Sequence, residues 1–205
     1  MFDAGSRARG EFGDAHPLRP AAGGRLLDRC PRGHDLQVAG TTTGWAAGLR
    51  LATQTCTACW GVRDERATWC LVDPAVQHRL DQAPTYGLAL VRIPPAMPRG
   101  GVGRLQLRVD GHARGDVDIA LCGPCHRAVL EQVRVDTGYL RRGYGRVLIA
   151  AVLALAPAYD WSTTAVDRAD PVACAFWAAV HWPGTLGTPA YCSDMLRAAE
   201  LTPDQ

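Results

Sequence analysis

Val133-Arg134-Val135-Asp136-Thr137-Gly138-Tyr139-Leu140-Arg141-Arg142-Gly143-Tyr144-Gly145-Arg146-Val147-Leu148 is the stretch that decides the fold. Val133 and Val135 alternate as the end of a strand. A short loop rich in Gly and Arg then enters a helix, Gly143 to Ala156, in which Tyr144, Val147, Leu148, Ala151, Val152 and Leu155 recur at three and four. Glycine lets backbone approach a ligand closely, and the first N–H groups of a helix have no internal partner. With the helix dipole they make an anion site suited to a pyrophosphate. Arg141, Arg142 and Arg146 add positive charge around it. An ordinary glycine connection with solvent-facing arginines fits the same residues, and a lone Gly-x-Gly does not choose between the two.

Working outward, the upstream chain reads as strands and turns. Tyr86 to Ile93 is apolar enough for a buried strand and is closed by Pro94-Pro95. Gly103 to Val109 alternates Leu105, Leu107 and Val109 against Gln106 and Arg108. A turn at Asp110-Gly111, a strand Val117 to Leu121 and a strand Val129 to Val135 complete an antiparallel meander. The last strand places Val129, Glu131, Val133 and Val135 on one face. Before the meander come a strand, Ala67 to Val72, and a short helix, Pro74 to Asp81. After the helix, Pro157 stops it. A strand Tyr159 to Val166, a second helix Val172 to Val180, and a last strand or hairpin in 185–197 follow. That order is α/β or α+β: a twisted, mostly antiparallel sheet with flanking helices.

Leu140-Arg141-Arg142-Gly143-Tyr144-Gly145 resembles the acetyl-CoA signature of the GNAT superfamily of N-acetyltransferases, and Val133-x-Val135 and Val147-Leu148 fit its strand-loop-helix. Asp170-Pro171-Val172-Ala173-Cys174-Ala175-Phe176-Trp177 looks like that family's second signature. The resemblance runs from about residue 102 to 193. It implies a GNAT-like sheet and an acetyl-CoA site built from Val133, Arg134, Val135, Arg141, Arg142, Gly143, Tyr144, Gly145, Arg146, Asp170 and Phe176. The pantetheine arm would pair with strand backbone, and an N–H near Val135 would stabilise the oxyanion. Glu131 is the candidate base for the amine. Tyr139 is the candidate acid, with Tyr144 and Tyr191 as other hydroxyls. A solvent-facing role for Glu131 stays open. A dinucleotide fingerprint lacks its third Gly, and a P-loop needs a lysine that the chain does not have.

Three departures bear on activity. Leu140 stands where the signature has Gln or Arg. Trp177 stands where many relatives carry an acidic tyrosine, and an indole N–H has no useful acidity. The segment Pro74 to Pro98 holds at most one short helix, where the family has two that shape the acceptor pocket.

Cys30-Pro31-Arg32-Gly33-His34 and Cys56-Thr57-Ala58-Cys59 look like two knuckles of a zinc ribbon or treble-clef-like finger. Cys30, His34, Cys56 and Cys59 make a tetrahedral S/N set of the kind zinc favours in closed structural sites. Cys122-Gly123-Pro124-Cys125 matches a thioredoxin redox tetrapeptide, but an apolar strand follows it instead of a helix. Open readings are packed thiols, a second metal site with Cys70 or Cys192, and one all-cysteine site shared with Cys56 and Cys59. Cys174 reads as core.

All 22 basic residues are arginine, and Asp outnumbers Glu 16 to 4. Base composition explains this better than chemistry does. A side effect is that no lysine is present for self-acetylation. The net charge of +2 implies no broad polyanion surface, so nucleic acid is not an expected partner. The longest apolar run, Val147 to Ala158, is too short to span a bilayer, and no secretory apolar core opens the chain. The expected division is a disordered 1–27, a zinc-ribbon-like module 28–66 and a GNAT-like domain 67–205. The expected activity is cytoplasmic, acetyl-CoA-dependent N-acetyl transfer to an amine of a small molecule or protein. The alternative is a non-catalytic acyl-CoA-binding or regulatory zinc-finger protein on the same scaffold.

Overall fold

A computed structural model describes residues 19–22, 26–97 and 99–201. It is a mixed α/β structure with two sheets and flanking helices. The smaller sheet holds β1 (Arg19–Ala22), β2 (Thr41–Ala46), β3 (Leu51–Cys56) and β4 (Thr68–Val72) in the order β1-β4-β3-β2. β1 runs parallel to β4, and the other pairs are antiparallel. Two short helices, α1 (Leu36–Ala39) and α2 (Thr57–Gly61), flank it.

The larger sheet holds β5 (Gln77–Arg79), β6 (Leu88–Ile93), β7 (Val102–Val109), β8 (His112–Cys122), β9 (Arg127–Val135) and β10 (Asp160–Thr163). β6 to β9 form the antiparallel meander, and β5 and β10 add parallel edges. The period-2 pattern explains β7: Leu105, Leu107 and Val109 are buried and Arg104 is exposed. α3 (Tyr144–Leu155) follows β9, α4 (Pro171–Ala179) follows β10, and α5 (Ser193–Leu201) closes the described chain.

α3 is buried on most of its circumference, because the larger sheet covers one side and β1 lies against another. A helix enclosed in this way is apolar nearly all round. The two sheets share a wall at β4. Cys70 and Val72 face the α3 core, while Trp69 and Leu71 face the smaller core with Cys30, Cys56 and Cys59. β4 therefore pairs within the smaller sheet, although the sequence division put residues 67–72 with the larger domain. Arg19–Ala22 is ordered as β1, inside the stretch expected to be disordered; residues 1–18 and 23–25 lie outside the described residues.

Two further expectations are corrected. The Pro74 to Asp81 helix is a turn, β5 and a 3-10 turn at Leu80–Gln82. The strand expected in 185–197 is a loop with a single bridge, Ser162 to Thr185, leading into α5. Pro183, Gly184, Gly187 and Pro189 break the loop, and Met195 and Ala198 bury the face of α5 three residues apart. No described helix is long and apolar enough to cross a membrane.

Candidate functional site

β9 and β10 are paired from Arg127 and Asp160 to Leu130 and Thr163. Thr164 continues the contact, its N–H donating to Leu130 O at 3.1 Å and its Oγ1 to Glu131 O at 2.7 Å. Beyond that point β9 runs on to Val135 without β10, paired only with β8. A cleft of about 1080 Å³ opens where the strands part, at the upper end of ordinary ligand-site volumes. One wall is β9 with Glu131, Val133 and Val135. The other is Thr164 to Asp167 and α4, with Phe176 and Trp177. The glycine turn closes one end with Tyr139, Arg141, Gly143, Gly145 and Arg146.

A β-bulge lies where the strands part. Asp118 pairs with Gln132 and Ile119 with Leu130, so Glu131 is the extra residue of β9. An inserted residue kinks a strand and increases its twist. It also shifts the alternation. Ala128, Leu130, Val133 and Val135 face the α3 core, and Val129 faces α5. The expected common face of Val129, Glu131, Val133 and Val135 is broken at Glu131. Further along, Asp136 N–H donates to Arg114 O at 2.9 Å. Antiparallel alternation then turns the backbone groups of Gln132 and Arg134 to β8, and those of Val133 and Val135 to the cleft side.

Glu131 is half-buried and accepts a hydrogen bond from the Tyr191 hydroxyl at 3.1 Å. Burial pushes its carboxyl above the ordinary glutamate range, the Tyr191 bond pulls part of the way back, and the Asp118 charge adds to the rise. Tyr191 is pushed up to about 12 by burial and by the neighbouring carboxylate. Tyr139 is engaged elsewhere. Its ring meets Tyr144 edge-on at 5.2 Å, and the Arg114 guanidinium lies 5.3 Å from its centroid. The hydroxyl that reaches Glu131 is therefore Tyr191, not Tyr139.

Gly143 caps α3 with φ +98°, a left-handed conformation that glycine adopts without strain. A Cβ there would lie 2.6 Å from Pro20 O, so β1 backs directly onto the turn. Arg19 Nη1 donates to Arg141 O at 3.1 Å. Val147 N–H donates to Gly143 O at 3.2 Å, and the N–H groups of Tyr144, Gly145 and Arg146 lie ahead of that bond at the helix start. The Tyr144 side chain is fully buried in the core, so only its backbone can serve a ligand. Arg142 is not among the cleft-lining residues. The Arg134 side chain also leaves the cleft and pairs with Asp116 and, at 2.8 Å, with Asp118. Asp170 lines the cleft and caps α4, accepting from Val172 N–H at 2.8 Å. Leu140 is exposed. Trp177 stands in an edge-to-face chain with Phe176 and Trp182. Cys174, expected in the core, is exposed on α4.

In the smaller sheet, Cys30, His34, Cys56 and Cys59 bring four ligand atoms within 4.8 Å of one another. The first knuckle is closed by Cys30 N–H to His34 O and Gly33 N–H to Cys30 O. In the second, Cys56 ends β3 and Cys59 lies in the first turn of α2. Arg32 and Asp64 join the two knuckles at 2.6 Å, and Arg32 holds the Asp64 carboxyl below its usual range. Zn–S bonds of about 2.3 Å in a tetrahedron place sulfurs about 3.8 Å apart. Cys30 and Cys59 Sγ are 3.9 Å apart, and His34 Nδ1 is 3.2 and 3.7 Å from Cys59 and Cys56 Sγ. Burial, and then the neighbouring thiols, push the Cys59 thiol up to about 12. Cys122, Cys125 and Cys192 form a separate group, which rules out one site shared with Cys56 and Cys59. Cys70 lies apart in the α3 core.

No protein-family model matches the chain, and no curated protein matches it. Among solved structures, the chain is similar to an aminoglycoside acetyltransferase, meta-AAC0020, from an uncultured soil metagenomic sample, solved with sisomicin. The TM-score is 0.36 at 16% identity, over 44% of this chain and 64% of that one. The chain thus spans less than two thirds of that protein's length, and a likeness of this size carries no inference about chemistry.

Proposed function

We propose that the chain is an acetyl-CoA-dependent N-acetyltransferase acting on a small-molecule or protein amine. The observation that carries this reading is the parting of β9 from β10 at the Glu131 bulge, with a glycine turn and helix N-terminus at one end of the same cleft. The helix N-terminus, with Arg141 and Arg146, suits a pyrophosphate. The unpaired edge of β9 at Val133 and Val135 suits the amides of a pantetheine arm. The Val135 N–H is then available to the thioester oxygen.

Glu131, set at the bulge, takes the proton that the amine loses as it attacks the thioester carbon. The tetrahedral adduct collapses with cleavage of the C–S bond, and the proton returns through Glu131 or a water to the leaving thiolate. Tyr191 orients the carboxylate from the α5 side. Trp177 walls the cleft and transfers no proton. We assign zinc to Cys30, His34, Cys56 and Cys59 as a structural ion. The test is calorimetry with acetyl-CoA, followed by thiol release across an amine panel. Binding without turnover on every amine supports the non-catalytic acyl-CoA-binding alternative, which the Trp177 position favours; no binding removes every acyl-CoA reading and leaves the regulatory zinc-finger one.

A further inference from the structure

A second cysteine cluster lies away from the cleft, where the β8–β9 hairpin meets the start of α5. Cys122 ends β8, Cys125 lies in the hairpin turn, and Cys192 immediately precedes α5. Their three sulfurs lie within 4.8 Å of one another. Cys122 and Cys192 are buried among Ala120, Val129 and Met195, whereas Cys125 is exposed. Apolar packing accounts for the first two thiols but gives no reason for an exposed third to turn inward onto them.

We propose that Cys122, Cys125 and Cys192 bind a second zinc ion. Two features support this. The Cys122-x-x-Cys125 spacing repeats that of Cys56-x-x-Cys59, and in both the first cysteine is the last residue of a strand. Asp194 Oδ2 lies 3.8 Å from Cys122 Sγ, beside the cluster. Arg197, 3.9 Å from Asp194, adds positive charge near three thiolates around a divalent ion. On binding, each thiol releases its proton to solvent and no electron moves. A thioredoxin-type role fits less well, because the buried cysteine comes first and a strand follows the motif.

The ion fastens α5 to the hairpin. Gly100, at φ +76°, sits so close that a Cβ would lie 2.5 Å from the Asp194 and Met195 backbone, so a third segment meets there. Because Tyr191 adjoins Cys192, the ion also fixes the hydroxyl that holds Glu131. That last consequence rests on the acyl-transfer reading; the metal site does not.

Elemental analysis of the full chain, purified under reducing conditions without chelator, tests the proposal. Two zinc ions per chain are expected, falling to one in Cys125→Ser and to one in Cys59→Ser. Wild type holding one ion that Cys125→Ser retains would overturn it, and so would a Cys122–Cys125 disulfide in the reduced preparation. Alkylation of the wild-type chain is an independent measure that needs no variant. Exposed Cys174 is the internal reference, and Cys125 should react at least about tenfold more slowly until a chelator is added. Reaction of Cys125 at the Cys174 rate before chelation contradicts the site.

Discussion

A Cβ on Gly145 would lie 2.9 Å from Cε2 of Phe176. The glycine turn of α3 and the aromatic face of α4 thus meet at one point, and the cleft lies between them. Gly145→Ala pushes Phe176 away and shifts α4 at a cost of about 1–3 kcal/mol. Acetyl-CoA affinity should fall roughly tenfold, with α3 itself intact by circular dichroism.

Glu131→Gln separates chemistry from binding. It should lower kcat by about 10² or more while acetyl-CoA affinity stays within twofold. Stability moves the other way. The Glu131 carboxyl titrates above its ordinary 4.5, so the folded chain holds that proton more tightly than the unfolded one. The group's contribution is full below that pH and is lost as pH rises through its folded value. At neutral pH the Gln variant should therefore melt at the wild-type temperature or slightly above it, as read by calorimetric scans.

Tyr191→Phe removes the bond that favours the Glu131 carboxylate. The acidic limb of the kcat/KM profile should move to higher pH, while Tyr139→Phe should leave it in place. An unmoved limb in Tyr191→Phe would remove Tyr191 from the account.

Zinc removal at Cys30, His34, Cys56 and Cys59 should be felt beyond the smaller sheet, because β4 carries Cys70 and Val72 into the α3 core. Cys59→Ser should melt in one transition shared with the larger sheet, not two. A loss of about 4 kcal/mol corresponds to about 10 °C in a chain of this size. Differential scanning calorimetry distinguishes one transition from two.

The main elements were legible because each had a clean local period: two in β7 and β8, near 3.6 in α3, with Pro157 as a stop. The clustering of Cys30, His34, Cys56 and Cys59 was also legible, since knuckle spacing is a local property. The bulge was not. One extra residue leaves the apolar pattern of Val129, Val133 and Val135 looking continuous, while the face changes at Glu131. Tyr191 was one of three hydroxyls, and nothing in the sequence links it to a residue 60 positions away. Arg134 read as part of the acetyl-CoA site on the strand before the glycine turn, but Asp116 and Asp118 across the ladder hold its side chain. α5 was hidden by the Pro and Gly residues that precede it. Its own stretch, Asp194 to Glu200, is rich in helix formers and was the signal available.

The central claim is that this cleft holds an acyl-CoA with its pyrophosphate at the α3 N-terminus. Isothermal titration of acetyl-CoA into the full chain, beside Arg146→Ala, tests it most directly. One equivalent should bind to the wild type, about tenfold more weakly to Arg146→Ala for loss of a charge-assisted hydrogen bond, and unchanged to Glu131→Gln. No binding to the wild type, or equal binding to Arg146→Ala, would contradict the account.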